Sequence, residues 1–358
     1  MSSALEDLRL KRVIVVGAGQ AGLAMAHALV RDGLQPQVDF VLLDAAADGN
    51  GAWSRQWHSL RLLTPARHSS LPGFSFPGLK SRYPRADEVE DYLSEYANRL
   101  GLVPVYGTRV LSVRVDPHGH GLTLVTNLGE VATRHVVAAT GPFAEPYLPG
   151  FANRARVPGQ NIHSSDYTHP KQFPEGSVLI VGDGNSGRQL ARELTSSHQV
   201  TLAMGAPRRE SPQRFLGVDV FSWMRATGLL RIPVPAHIRR HPGRRETAIG
   251  QSLEELRTLG VRVVPRLVDA TGSTFHLEDG STIRTHSVLW ATGYQPPFNW
   301  LPDQVRDHGG GIVQHRGATS VTGLYVLGLP WMRSRASSLL TGVGSDATHI
   351  ARMIGRRP

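Results

Sequence analysis

The 358-residue chain contains no cysteine. That absence excludes disulfides, iron–sulfur clusters, thiolate zinc sites and every mechanism that runs through a protein thiol. It is compatible with a reducing compartment. Lysine is scarce too: Lys11, Lys80 and Lys171 are all there is, so arginine carries nearly the whole formal net charge of +10. The arginines are dispersed, and the densest stretch, 237–245 with Arg239, Arg240, Arg244 and Arg245, reads as a solvated loop. The charge therefore suits a phosphate-bearing ligand better than a nucleic-acid partner. No apolar run approaches the roughly 18 residues that a membrane helix needs. No signal-peptide pattern precedes the first strand, which predicts a cytoplasmic protein without membrane insertion. The histidines lack metal-ligand spacing, so no metal is expected.

What is present is an ordinary globular composition, 40 % hydrophobic and 19 % charged, in a chain long enough for two cores. Residues 12–44 read as strand, glycine turn, helix, strand. Arg12–Val16 is a β-branched run suited to a parallel strand buried on both faces, and a second strand ends at Asp44. A loop rich in Pro, Ser and Gly covers 45–86, helix Asp87–Leu100 follows, and 104–134 reads as a small antiparallel meander. A strand at His135–Ala139 then runs into Thr140-Gly141. Near 169 the pattern restarts with Val178–Val181, a glycine turn, a helix to about Ser196 and a strand at Val200–Met204. After an Arg- and Pro-rich insertion (206–246) come helix 251–259, a strand pair and Ala291-Thr292-Gly293-Tyr294. The tail adds a strand at Leu324–Leu327 and a last helix from about Ser345. The expected fold is α/β, with two Rossmann-like units and the second inserted into the first. Their boundaries are 1–168 with 295–358, and 169–294.

Each unit carries a glycine fingerprint in its expected context. In the first, Gly17 makes the turn, Gly19 admits a pyrophosphate close to the backbone, and Gly22 lets helix and strand pack tightly. The pyrophosphate then sits at the helix N-terminus, where free N–H groups and the helix dipole stabilise its charge. Asp44 stands where it accepts the ribose hydroxyls. In the second, Gly182, Gly184 and Gly187 repeat the spacing, but the strand ends in Met204-Gly205 followed by Arg208 and Arg209. An acid there would repel a 2′-phosphate, whereas arginine pairs with it, which argues for NADPH over NADH. The alternative is that Arg208 and Arg209 are surface charges partly neutralised by Glu210. Two such sites in one chain point to a flavin and a nicotinamide placed for hydride transfer, FAD in the first and NADPH in the second. Thioredoxin-reductase-like enzymes share that plan but deliver electrons to a cysteine pair, a route closed here.

Several segments resemble the flavin-containing monooxygenases and the related Baeyer–Villiger enzymes. Val157–Tyr167 is similar to their FxGxxxHxxx(Y/F) signature through Gly159, His163 and Tyr167, with Val157 in place of the aromatic residue. Ala291–Tyr294 looks like their ATGY motif. The Trp53…Trp57-His58-Ser59-Leu60-Arg61 stretch and the tail Gly328–Trp331…Gly342-Val343-Gly344 are similar to CzcO-like bacterial members and to YUCCA-type plant enzymes. The resemblance spans about 12–352. It implies a monooxygenase that forms a C4a-(hydro)peroxyflavin from FAD, NADPH and O2 and oxygenates a small soft nucleophile (S or N) or a ketone. The other readings are an NADPH oxidase or acceptor reductase on the same scaffold, and a non-catalytic redox sensor. By resemblance, Trp53, Arg61 and Thr64 line the ribityl or isoalloxazine region, Val110 meets the adenine end, and Thr140 and Gly141 close the FAD site. Ser186 joins the NADPH site, and Thr292 and Tyr294 belong to the domain junction. His163 is expected to fix the linker, and a homodimer is implied. The family's flavin-side asparagine has no counterpart in Leu62–Ser70; His68, Ser69 and Ser70 are the hydrogen-bonding candidates in its place, in what reads as a surface loop. Phe215, Phe221 and Trp223 either cap a substrate channel or pack within the insertion.

Overall fold

A computed structural model describes residues 11–47, 49, 51–116, 121–233, 247–295 and 298–355. The arginine group at 239–245 lies outside the described residues.

In chain order the main elements begin with β1 (Val13–Val16), α1 (Gln20–Arg31), β2 (Phe40–Leu43) and α2 (Ala86–Arg99). A meander β3 (Val110–Val115), β4 (Leu122–Thr126), β5 (Gly129–Thr133) leads to β6 (His135–Ala138). Then come β7 (Asn161–His163), β8 (Ser177–Val181), α3 (Asn185–Leu194), β9 (Gln199–Ala203) and α4 (Val220–Ala226). They are followed by α5 (Leu253–Thr258), β10 (Arg262–Val264), a second meander β11 (Leu267–Thr271), β12 (Thr274–Leu277), β13 (Thr282–Arg284), and β14 (Ser287–Trp290). The chain closes with β15 (Leu324–Val326) and α6 (Leu340–Gly355).

The first sheet is parallel in the order β2-β1-β6-β15, the second parallel in the order β10-β9-β8-β14-β7. The tail strand β15 joins β6 and α6 packs on α1, so the second unit is inserted into the first. β1 and β2 are buried at every position, as strands covered on both faces must be. In the second sheet the period of two divides the core. Val178 and Ile180 face Leu190, Leu194 and Leu256 on the helical side. Leu179 and Val181 face Phe275, Leu277 and Trp290 on the meander side. The second unit thus has helices on one face of its sheet, and each unit has a three-stranded antiparallel meander, β3–β5 or β11–β13, before its last central strand.

Two sequence expectations differ from the structure. β7 pairs with β14, so 161–163, placed by sequence in the first unit, is the edge strand of the second sheet; the second unit therefore recruits a strand from before residue 169. α6 begins at Leu340 rather than near Ser345. Gly342 and Gly344, which precede the expected helix start, lie inside the helix. A Cβ on Gly342 would come within 2.1 Å of the Ala336 carbonyl oxygen, and one on Gly344 within 2.2 Å of Pro72. These glycines permit close packing of a helix, a role that spacing alone does not reveal.

Candidate dinucleotide sites

The two fingerprint turns are near replicas. Gly17 has φ +105° and Gly182 φ +106°, a region that disfavours any side chain. A Cβ on either would lie 2.5 Å from a carbonyl oxygen, that of Ala139 for Gly17 and of Ala291 for Gly182. This gives the two Ala-Thr-Gly segments a physical role: each crosses directly beside the glycine turn of its own unit. The third glycines match as well, since a Cβ on Gly22 or Gly187 would stand 1.9 Å from the oxygen of Gly17 or Gly182. The middle glycines, Gly19 and Gly184, instead have open space where a Cβ would project. They also cap α1 and α3, and neither helix has a side-chain N-cap. By contrast Asp219 caps α4 by accepting from the Phe221 N–H, and Ser252 caps α5 by accepting from the Glu255 N–H. The fingerprint helices therefore keep their first N–H groups for something else, and an open approach beside free amides fits a pyrophosphate.

In the first site the Asp44 carboxylate accepts from the Ala18 N–H at 2.7 Å and from the Ala46 N–H at 2.9 Å. It is thereby fixed at the mouth of the turn. Thr140 Oγ1 and Gln20 Oε1 are buried at this turn without a partner among the described residues. Orphaned polar atoms around an open glycine turn fit a bound nucleotide. Gly141 has open space in front of it. Val110 is buried and opens β3, two residues beyond Thr108, whose N–H donates to the Asp44 carbonyl at 2.8 Å. Trp53 packs half-buried against the first core, whereas Arg61 is exposed and donates to the Tyr83 carbonyl at 3.3 Å.

The loop that carries His68, Ser69 and Ser70 is buried, not a surface loop. Ser69 Oγ lies 2.8 Å from Thr64 Oγ1 and also reaches the Thr64 and Pro65 carbonyls, and Ser70 Oγ accepts from the Phe76 N–H at 2.9 Å. These hydroxyls pin the loop to itself. His68 is different: its Nε2 lies 2.9 Å from Ser222 Oγ on α4, and its Nδ1 is buried and unpartnered. Burial, then the Arg225 and Arg67 cations, hold its pKa below the ordinary histidine value. The insertion is what covers this loop. Asp219 accepts from the Tyr83 hydroxyl at 2.6 Å, and Gln213 donates to the Leu63 carbonyl at 2.8 Å. Burial, and then the Asp219 carboxylate, push the Tyr83 pKa up to about 12. Phe221 packs in the small core of the insertion, while Phe215 and Trp223 remain exposed.

In the second site Ser186 lies in the first turn of α3, and Arg208 and Arg209 follow the end of β9. Arg208 Nε stands 3.8 Å from Asp183 Oδ1. Sequence reasoning missed the partner that organises this end. Arg188, 2 % exposed, donates to the Asp183 carbonyl at 2.9 Å, the Glu210 carboxylate at 2.6 Å and the Gln251 carbonyl at 2.9 Å. Its sequence signal was an arginine just after the third glycine, where the first unit has Leu23.

Two connectors join the units. Tyr294-Gln295 pairs antiparallel with Glu145-Pro146, Thr292 Oγ1 donates to the Tyr147 carbonyl, and the Tyr147 N–H donates to the Gly293 carbonyl at 2.9 Å. His163 Nε2 reaches the same Gly293 carbonyl at 3.0 Å, its ring edge-on to Tyr294. Burial lowers its pKa. His163 thus ties the end of β7 to the connector.

Two parallel sheets, each with an unobstructed glycine turn beneath a helix without a side-chain cap, define a fold with two dinucleotide-binding units. Residues 14–232 match the family model described as pyridine nucleotide-disulphide oxidoreductase. The chain is 37 % identical over 341 residues to the uncharacterized oxidoreductase CzcO-like of Geobacillus kaustophilus, covering 94 % of this chain and 96 % of that one. It is 26 % identical to the indole-3-pyruvate monooxygenase YUCCA1 of Oryza sativa, over 95 % of this chain and 90 % of the relative. Among solved structures, a flavin-containing monooxygenase from Stenotrophomonas maltophilia superposes with a TM-score of 0.79 at 29 % identity, covering 96 % of this chain and 98 % of that chain. The chain belongs to the pyridine nucleotide-disulphide oxidoreductase family, and within it to the flavin-containing monooxygenase-like proteins. It is a flavoprotein oxidoreductase of that group, although it has no thiol with which to carry the family's disulphide chemistry. Among the described residues no helix is long and apolar enough to cross a membrane, and no group of His, Asp and Glu is arranged to hold a metal.

Proposed function

We propose that the chain is an FAD-dependent, NADPH-using monooxygenase that acts on a small soft nucleophile (S or N) or a ketone. The observation that carries this reading is the pair of matched glycine turns with opposite charge at their strand ends, Asp44 in one and Arg208 with Arg209 in the other, in a chain without cysteine. When bound, the flavin supplies hydride acceptance from NADPH and transfer of the electrons to O2, with one oxygen atom passed to the substrate.

The residues of the chain supply position and enclosure. The amides at the start of α1 and the Asp44 carboxylate hold the FAD pyrophosphate and ribose, with Thr140 and Gly141 beside the turn. Gly182, Gly184, Ser186 and Gly187 frame the second pyrophosphate, and Arg208 and Arg209 pair with the 2′-phosphate. The Tyr83–Asp219, Gln213–Leu63 and His68–Ser222 hydrogen bonds close the insertion onto the first unit and limit the entry of water. The hydroxyls of Ser69 and Ser70 are engaged within their own loop, which leaves His68 as the one member of that group with an unused buried nitrogen.

The test scores product, not NADPH loss. Yellow protein is given NADPH in air with a panel of thioethers, amines and ketones. Oxygenated product in proportion to NADPH consumed supports the proposal. Hydrogen peroxide formed in equal proportion with no product points to an oxidase, and failure of NADPH to reduce the flavin points to a sensor. Either result refutes it.

A further inference from the structure

Both units tie their glycine turn to the end of their second strand through one carboxylate and one backbone amide, but the tie runs in opposite directions. In the first unit the acid is on the strand: Asp44 accepts from the Ala18 N–H in the turn at 2.7 Å. In the second the acid is in the turn: Asp183 accepts from the Gly205 N–H beyond the strand at 2.9 Å. The reversal clears the strand end of an acid, yet it leaves a buried carboxylate, 4 % exposed, at hydrogen-bond distance from that same backbone. That carboxylate already forms a loose ion pair with Arg208, whose Nε is 3.8 Å away; unopposed, it would hold Arg208 more tightly and repel a 2′-phosphate.

Arg188 opposes it. Its Nη2 lies 3.3 Å from Asp183 Oδ2, while Nη1 takes the Glu210 carboxylate at 2.6 Å. The formal charges of Asp183, Arg188, Glu210, Arg208 and Arg209 leave one positive charge, and without Arg188 they cancel. Arg188 also fixes the backbone that carries Arg208 and Arg209. Glu210 accepts from the Leu253 N–H at 3.3 Å, Gln251 gives its carbonyl to Arg188, and Asn185 accepts from the Ile249 N–H at 2.8 Å. Both ends of the insertion are thereby held against the start of α3.

We infer that Arg188 is a positioning residue for recognition of the adenosine 2′-phosphate: it neutralises Asp183 and so keeps the Asp183–Arg208 ion pair loose enough for Arg208 to turn to the phosphate. The inference rests on the reading of the second turn as an NADPH site. A buried arginine that served packing alone would support NADPH and NADH equally.

Calorimetric binding of 2′,5′-ADP and of 5′-AMP to the flavin-loaded full chain separates these roles, because the two ligands differ only in the 2′-phosphate. Arg188→Gln is expected to weaken 2′,5′-ADP by about tenfold and 5′-AMP by no more than about twofold. Asp183→Asn in the same chain, D183N/R188Q, restores the net positive charge and is expected to recover 2′,5′-ADP binding to within about threefold of the parent. Equal weakening of both ligands, or no recovery in the double variant, overturns the inference. Should R188Q not fold, D183N alone decides: it is expected to tighten 2′,5′-ADP a few-fold without affecting 5′-AMP, and no change or weakening overturns the inference. Arg208→Ala is the control on the site itself. If it leaves 2′,5′-ADP binding unchanged, the NADPH assignment fails, and the inference fails with it; if it weakens 2′,5′-ADP while R188Q does not, only the inference fails.

Discussion

The two glycine turns superimpose in backbone logic and diverge in charge. Gly17 and Gly182 share φ within a degree, and Gly22 and Gly187 stand equally close to the turn oxygen. The geometry that lets a pyrophosphate approach has therefore been kept twice, while the ends of the second strands differ. Asp44 presents an acid at the first, and Gly205 with Arg208 and Arg209 presents bases at the second. In the proposed reading, backbone conformation makes a dinucleotide site and the side chains past the strand choose which dinucleotide.

Alanine at the third glycine breaks the comparison most severely. A Cβ there meets backbone oxygen that cannot retreat, an overpacking cost of about 1–3 kcal/mol or more. Gly22→Ala is expected to yield colourless protein, read by the flavin spectrum. Gly187→Ala is expected to stay yellow while the rate of flavin reduction by NADPH falls by about a hundredfold, of the order such an energy implies. Colour lost in both variants, or in neither, would mean that the turns do not divide the cofactors between them.

The charge difference is tested by Arg208→Ala combined with Arg209→Ala. Loss of charge-assisted hydrogen bonds to a phosphate is expected to raise the KM for NADPH by about tenfold or more and that for NADH by no more than about twofold. Steady-state kinetics with both nucleotides reads this directly. A smaller change is expected at the other turn. Asp44→Asn keeps the shape but weakens the bond to the Ala18 N–H and, in the proposed site, that to the ribose, and flavin retention is expected to fall by about tenfold. The same substitution at Asp183 is expected to leave flavin retention unchanged.

The smallest expected effect lies where the insertion meets the first unit. His68 is buried, and its folded pKa lies below the unfolded value of about 6.5. The stability it contributes as a neutral ring is thus complete above that value and is lost as pH falls through it toward the folded pKa. His68→Gln is expected to flatten the fall of Tm between about pH 7 and pH 5 by about 2 °C. An unchanged slope would mean that His68 does not resist protonation.

Much of this arrangement was legible in the residues. The fingerprints and the Ala-Thr-Gly segments are readable because their spacing is dictated by covalent geometry, and Asp44 because it ends a buried strand. Arg188 was not readable as a site residue because its partners stand 5, 22 and 63 positions away, at Asp183, Glu210 and Gln251. The polar loop around His68, Ser69 and Ser70 reads as surface until α4 is laid against it. Likewise β7 precedes the unit whose sheet it completes, and the packing role of the α6 glycines shows only when Ala336 and Pro72 are seen beside them.

An anaerobic titration of the purified yellow protein with NADPH tests the two-site arrangement most directly. Complete bleaching of the visible flavin band at one equivalent of NADPH per flavin is the predicted result, with one FAD released per chain on denaturation. Protein that is colourless and remains so after incubation with FAD, or yellow protein that NADPH does not bleach, would contradict it.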